Sequence, residues 1–144
     1  MKLLRSETGM TLIEILVVLA IMALLATLVT TRVTGRLAEA KVSTAKSQIK
    51  TFQQALELYK ADNDLYPTTE QGLDALISKP TIGEIPENYP EDGYLSKKKI
   101  PKDPWNKNYL FISEDGQKYT IMTYGSNKKE GGTGTAADIS SDDL

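Results

Sequence analysis

Residues 9–31 read GMTLIEILVVLAIMALLATLVTT, and from Met10 to Thr31 the run holds 22 residues with one charge, Glu14. A helix of that length rises about 33 Å, enough to cross the hydrocarbon core of a bilayer. A carboxylate in such a span is costly and needs a partner, unless it lies close enough to the interface to snorkel. Lys2 and Arg5 precede the run and favour an amino end in the cytoplasm, with the remainder outside. The same charges could open a secretory signal peptide. Against that, the run is longer than the usual h-region, and Leu24-Leu25-Ala26-Thr27 lacks the small-x-small cleavage pattern. The span is therefore expected to stay on the mature chain as an anchor.

Behind it, a chain of 144 residues leaves room for one small domain. Cysteine and histidine are both absent, which removes disulfides, thiolate metal sites, and the commonest general base and zinc ligand. The net charge of -2 offers no footprint for nucleic acid. Lys97, Lys98, Lys99 and Lys102 read as a solvated loop. The carboxylates Glu84, Glu87, Glu91 and Asp92 fall in a Pro-rich loop with no evident cleft, so no enzyme is expected. Gly131-Gly132-Thr133-Gly134 is not a phosphate cradle, because no Gly-Lys-Ser/Thr follows it. Trp105, beside Pro104, is expected to be a packing anchor.

Beyond the span, the β-branched residues around Thr31 and Val33, with Gly35, make a weak but continuous helical segment. Val42, Ala45, Ile49, Phe52, Leu56 and Tyr59 then recur at spacings of three and four, opposite Lys41, Lys46, Lys50, Gln53, Glu57 and Lys60. That is one buried face of an amphipathic helix, which Asp62-Asn63-Asp64 and Pro67 end. In YPTTEQGLDALISKP, residues 66–80, Thr68 or Thr69 can cap a second, short helix with Leu73, Leu76 and Ile77 on its apolar face. From Thr81 to Pro104 the chain is an ordered loop, with at most a small strand at Tyr94-Leu95. Tyr109–Ser113 and Lys118–Tyr124 flank Glu114-Asp115-Gly116-Gln117 as a hairpin, and a Gly-rich tail closes the chain. The plan is α+β: a long amino-terminal helix, transmembrane and then amphipathic, packed on a small antiparallel sheet.

Gly9-Met10-Thr11-Leu12-Ile13-Glu14 before an unbroken apolar run resembles the processing site of the type IV pilin and pseudopilin family. Three further segments bring the resemblance to the major pseudopilins of type II secretion: Tyr66-Pro67-Thr68-Thr69-Glu70-Gln71-Gly72-Leu73, Asp103-Pro104-Trp105, and the stretch from Gly131-Gly132 to Ala137-Asp138-Ile139. The resemblance implies cleavage by prepilin peptidase between Gly9 and Met10 and methylation of the new amino terminus. Met10 stands where the family usually has phenylalanine, apolar for apolar. It implies a leader over 1–9, a transmembrane segment over 10–31 in the inner membrane, and a pilin-like domain over 32–144 in the periplasm. The partner it supplies for Glu14 is the amine of Met10 in a neighbouring subunit of a helical homo-oligomeric filament, since two costly charges can offset one another when they meet in register. Minor pseudopilins and an inner-membrane assembly platform are the other implied partners. A type IV pilin for adhesion or DNA uptake, or a membrane-anchored calcium-binding module, remains the alternative.

The family pins its tail with calcium, and the resemblance carries that site onto backbone carbonyls near Tyr124 and Lys129 and side-chain oxygens of Asn127 and Asp138. Asn127 stands where the family usually has aspartate. An amide oxygen still ligates calcium but brings no charge, so a weaker site, or one borrowing Glu130, Asp142 or Asp143, is expected. A tail that binds nothing is the alternative.

Overall fold

The computed structural model describes residues 9–144, the side chains of residues 27–33 excepted. One helix, α1, runs Leu12–Asn63, and the chain divides into two compact units at Leu37/Ala38. In the first unit α1 buries nothing it carries up to Ala26: Leu12 is 81% exposed, Ile13 70% and Leu24 68%. Among the described residues no helix is long and apolar enough to cross a membrane. The expected span, Met10–Thr31, runs into the side chains that lie outside the described residues, as does most of the expected leader, residues 1–8.

In the second unit, the expected stripe is the core. Ala45, Ile49, Phe52, Ala55, Leu56 and Tyr59 are buried, and Val42 packs against them. The core closes over Leu73, Ala75, Leu76, Leu95, Tyr109, Phe111, Ile121 and Ile139, with Phe52 and Tyr109 meeting edge to face at 5.2 Å between ring centroids. That arrangement suits the ring quadrupoles.

The short second helix is a single 3-10 turn, Leu73–Leu76. Neither Thr68 nor Thr69 caps it, because its N-cap residue is Gly72; Thr68 and Gln71 instead close the turn before it, Thr68 N–H donating to Gln71 Oε1 at 2.9 Å and Gln71 N–H to Thr68 Oγ1 at 3.4 Å. Gly72, just before Leu73, takes φ 63°, a backbone conformation that favours glycine. Tyr94-Leu95 forms no strand; both amides instead donate to the Leu76 carbonyl, at 2.7 and 3.2 Å.

Three short strands make one antiparallel sheet in sequence order: β1 (Leu110–Ile112), β2 (Thr120–Thr123) and β3 (Ile139–Ser140). The register pairs Phe111 with Ile121 and Thr123 with Ile139, and all four side chains are buried. The hairpin connection is wider than the Asp-Gly pair alone. Asp115 Oδ1 accepts from Gln117 N–H at 2.9 Å, and the Gly116 carbonyl accepts from Tyr66 N–H at 2.8 Å. Thr69 and Ser113 exchange backbone and hydroxyl hydrogen bonds of 2.8–3.0 Å. The YPTTEQG segment thus clasps the hairpin loop, which shortens both strands at that end.

Candidate functional site

Two places carry the residues singled out in the sequence: the start of α1 and the tail loop. Gly9 and Met10 precede the first helical turn, exposed, and the space a Cβ at Gly9 would enter is open. Thr11 and Glu14 form a reciprocal capping box, Glu14 N–H donating to Thr11 Oγ1 at 3.3 Å and Thr11 N–H to Glu14 Oε2 at 3.4 Å. The sequence carries the Thr-x-x-Glu signature of that box, a local bond beyond the two expectations for Glu14, a partner in a neighbouring subunit or a snorkelling position at the interface. The carboxylate satisfies the helix start of its own chain and complements the positive end of the helix dipole.

In the tail, Tyr124 stands just before a 3-10 turn, Gly125–Asn127, and Lys128 leaves it at φ 58°. Asn127 Oδ1 accepts from Lys129 N–H at 3.1 Å, and its Nδ2 donates to the Gly131 carbonyl at 3.1 Å. Gly131 N–H donates to Asp138 Oδ2 at 2.8 Å. Asn127, Lys129 and Asp138 are therefore brought onto one loop, bridged through Gly131. Gly125 and Gly132 permit its close turns: a Cβ would lie 2.6 Å from the Ala137 carbonyl oxygen at the first and 2.2 Å from that of Ala136 at the second.

Asp138 Oδ1 is buried without a hydrogen-bond partner. A lone buried carboxylate oxygen is costly, and a hard cation would satisfy it, so the donor set fits an ion held by oxygen atoms. No cluster of three acidic or histidine side chains exists among the described residues, so backbone carbonyls would have to complete such a shell. Asp142 is committed elsewhere, accepting from Thr120 Oγ1 at 3.2 Å.

A third feature surfaces only in three dimensions. In Asp103-Pro104-Trp105 the buried residue is Asp103, 5% exposed, whereas Trp105 is half-buried against the core. Asp103 Oδ1 accepts from the amides of Trp105 and Lys107 at 3.0 and 2.7 Å, and Oδ2 from Thr123 Oγ1. An aspartate two residues ahead of a turn is a readable signal for this geometry. Tyr66 and Tyr119 pack against the core, ring against ring at 4.6 Å between centroids. Burial, then the hydrogen bond to Glu57, pushes the Tyr66 phenol up to about 12.

The prokaryotic N-terminal methylation motif matches residues 4–30; with a bare apolar helix start running into a small α+β head, it makes this a pilin-like chain. The family described as type II secretion system (T2SS), protein G matches residues 32–142. The chain belongs to that family. Its relatives include type II secretion system core protein G of Vibrio cholerae, 46% identical over 96% of this chain and 94% of the relative. The Pseudomonas aeruginosa protein of the same name is 45% identical over 94% of each chain. Among solved structures, the major pseudopilin from the type 2 secretion system of enterohaemorrhagic Escherichia coli superposes with a TM-score of 0.62 at 36% identity, covering 74% of this chain and 87% of that one.

Proposed function

We propose that this chain is a structural subunit of a periplasmic pseudopilus, which polymerises through its amino-terminal helix and so drives type II secretion of proteins across the outer membrane. The observation that carries this reading is the first unit. From Met10 to Leu25, large apolar side chains stand 43–81% exposed, a continuous patch far beyond what a soluble monomer leaves uncovered. A bilayer covers it before assembly and neighbouring helices cover it afterwards.

On this reading prepilin peptidase removes residues 1–9, Met10 becomes a methylated amino terminus, and the apolar helix holds the subunit in the inner membrane with its head in the periplasm. The carboxylate of Glu14 has two oxygens, so capping Thr11 does not exhaust it, and the Met10 amine of a neighbour offsets the remaining charge. Minor pseudopilins and the inner-membrane assembly platform are the partners. Asn127 and Asp138, with the carbonyls of Tyr124 and Lys129, would hold calcium, whose part is to tie the tail loop to the sheet. The role is mechanical, and no residue is assigned to catalysis.

Deleting the gene from its host and following an exoprotein tests this. The account expects that protein to accumulate, folded, in the periplasm, with release restored by the intact chain and not by Glu14→Gln. Normal release from the deletion strain would overturn it.

A further inference from the structure

The head carries a groove of about 260 Å³ floored by Phe52, Leu95 and Pro101 and rimmed by Lys97 and Lys99. Both lysines are exposed. Among the described residues, Lys98 pairs with Asp92 at 3.7 Å, at the surface, and no other lysine meets a carboxylate. An apolar floor under an uncompensated basic rim asks for an apolar knob flanked by carboxylates.

The same chain presents one. In Ile82-Gly83-Glu84-Ile85-Pro86-Glu87, both isoleucines are 51% exposed, and Glu84 and Glu87 are exposed beside them. The loop is held, not loose. Gln71, 8% exposed, donates from Nε2 to the carbonyls of Ile82 and Glu84, at 2.9 Å each. Gly83 turns at φ +68°, where a Cβ would lie 3.3 Å from that same nitrogen, and Pro86 is buried. A knob fixed before binding loses little freedom on docking.

Knob and groove cannot meet within one head. The groove borders α1 at Gln48, Thr51 and Phe52, whereas Ile85 and Glu87 share a second hollow with Tyr59, Asp62 and Asn63. Along the helix that is about eleven residues, or roughly 16 Å. We infer that the Ile82–Glu87 loop of one copy docks in the Phe52/Leu95 groove of a second copy, its carboxylates against Lys97 and Lys99. The contact joins unlike patches, so it is heterologous and repeats from copy to copy without a dimer end point. This deepens the filament reading and rests on it, since it names which surfaces of the heads meet.

The chain has no cysteine, so a pair can be placed cleanly. Ile85→Cys with Ser96→Cys, both exposed positions, in the full chain in membranes should give a ladder of disulfide-linked multimers on oxidation. Either substitution alone should give none. Lys97→Glu with Lys99→Glu should cut the ladder at least tenfold, and adding Glu84→Lys with Glu87→Lys should restore it. Filaments seen by electron microscopy without a ladder would overturn this contact and leave the filament reading standing. Absence of both filaments and ladder would overturn both. A ladder indifferent to the charge reversals would also overturn the pairing.

Discussion

Asp138 shows how much one atom can say. A carboxylate oxygen, buried and unpartnered, sits on a loop in which the Asn127 side chain, the Lys129 amide, the Gly131 backbone and Asp138 Oδ2 are hydrogen-bonded to one another. If a cation completes it, binding to the folded form alone raises stability by RT ln(1 + [L]/Kd), about 1.4 kcal/mol at ten times Kd. That is a shift of several degrees in a domain this size. A fragment from Arg36 to Leu144, stripped with chelator, should melt measurably higher in millimolar calcium than in magnesium, which resists dehydration and fits irregular carbonyl cages poorly. Asp138→Ala should abolish the difference, and Asn127→Asp should enlarge it by restoring a charge. Equal midpoints in the two ions would mean that packing and the Asn127 hydrogen bonds hold the tail alone. The residue types and positions of this loop were legible in the sequence, but the orphaned oxygen was not, because it follows from where the Gly131 amide falls. The Thr11–Glu14 cap is the reverse case. Its Thr-x-x-Glu spacing is plain in the sequence, although the cost of a charge in an apolar run points first to a partner outside the chain.

At the scale of elements, legibility followed periodicity. The stripe from Val42 to Tyr59 repeats over five turns and supplies the helix's share of the core, with Val42 only partly buried and Ala55 added to it, because a long amphipathic pattern outweighs the fate of any one position. The hairpin was readable from its Asp-Gly turn, yet its strands are shorter, since Thr69 and Tyr66 take hydrogen bonds at its turn end. β3, two residues long, has no period to read. Its pairing depends on the Gly-rich loop returning the chain to β2. Gln71 is of the same kind: half of its role, the turn closed with Thr68, is written in the Thr-x-x-Gln spacing, and the other half is two carbonyls more than ten residues away. Gln71→Ala would remove the donor from those two part-buried bonds and the acceptor from the Thr68 amide. It should destabilise the head by about 2–4 kcal/mol at roughly 1–3 kcal/mol per lost buried bond, read as a lowered denaturant midpoint. The mobility of the Ile82–Glu87 loop should rise in hydrogen exchange. An unchanged midpoint would show that the loop is fixed by Pro86 and packing instead.

Over the whole molecule, the two units answer different solvents. The head, Ala38–Leu144, closes a core of its own, while the start of α1 exposes an apolar surface that only lipid or other copies can cover. Breaking the Glu14 pairing should leave the first covering intact and impair the second. Glu14→Gln removes a charge from the apolar stretch, so insertion should become easier, and on the proposed pairing it would strand the amine of a neighbour. The most direct measurement of the polymerisation claim is electron microscopy of filaments sheared from membranes that carry the complete secretion machinery, with mass spectrometry of the subunit within them. The account predicts filaments built from chains that begin at a methylated Met10, sharply reduced in Glu14→Gln although that variant still fractionates with membranes. Recovery of the chain only as a free monomer beginning at Met1, or cut after Ala26, would contradict it.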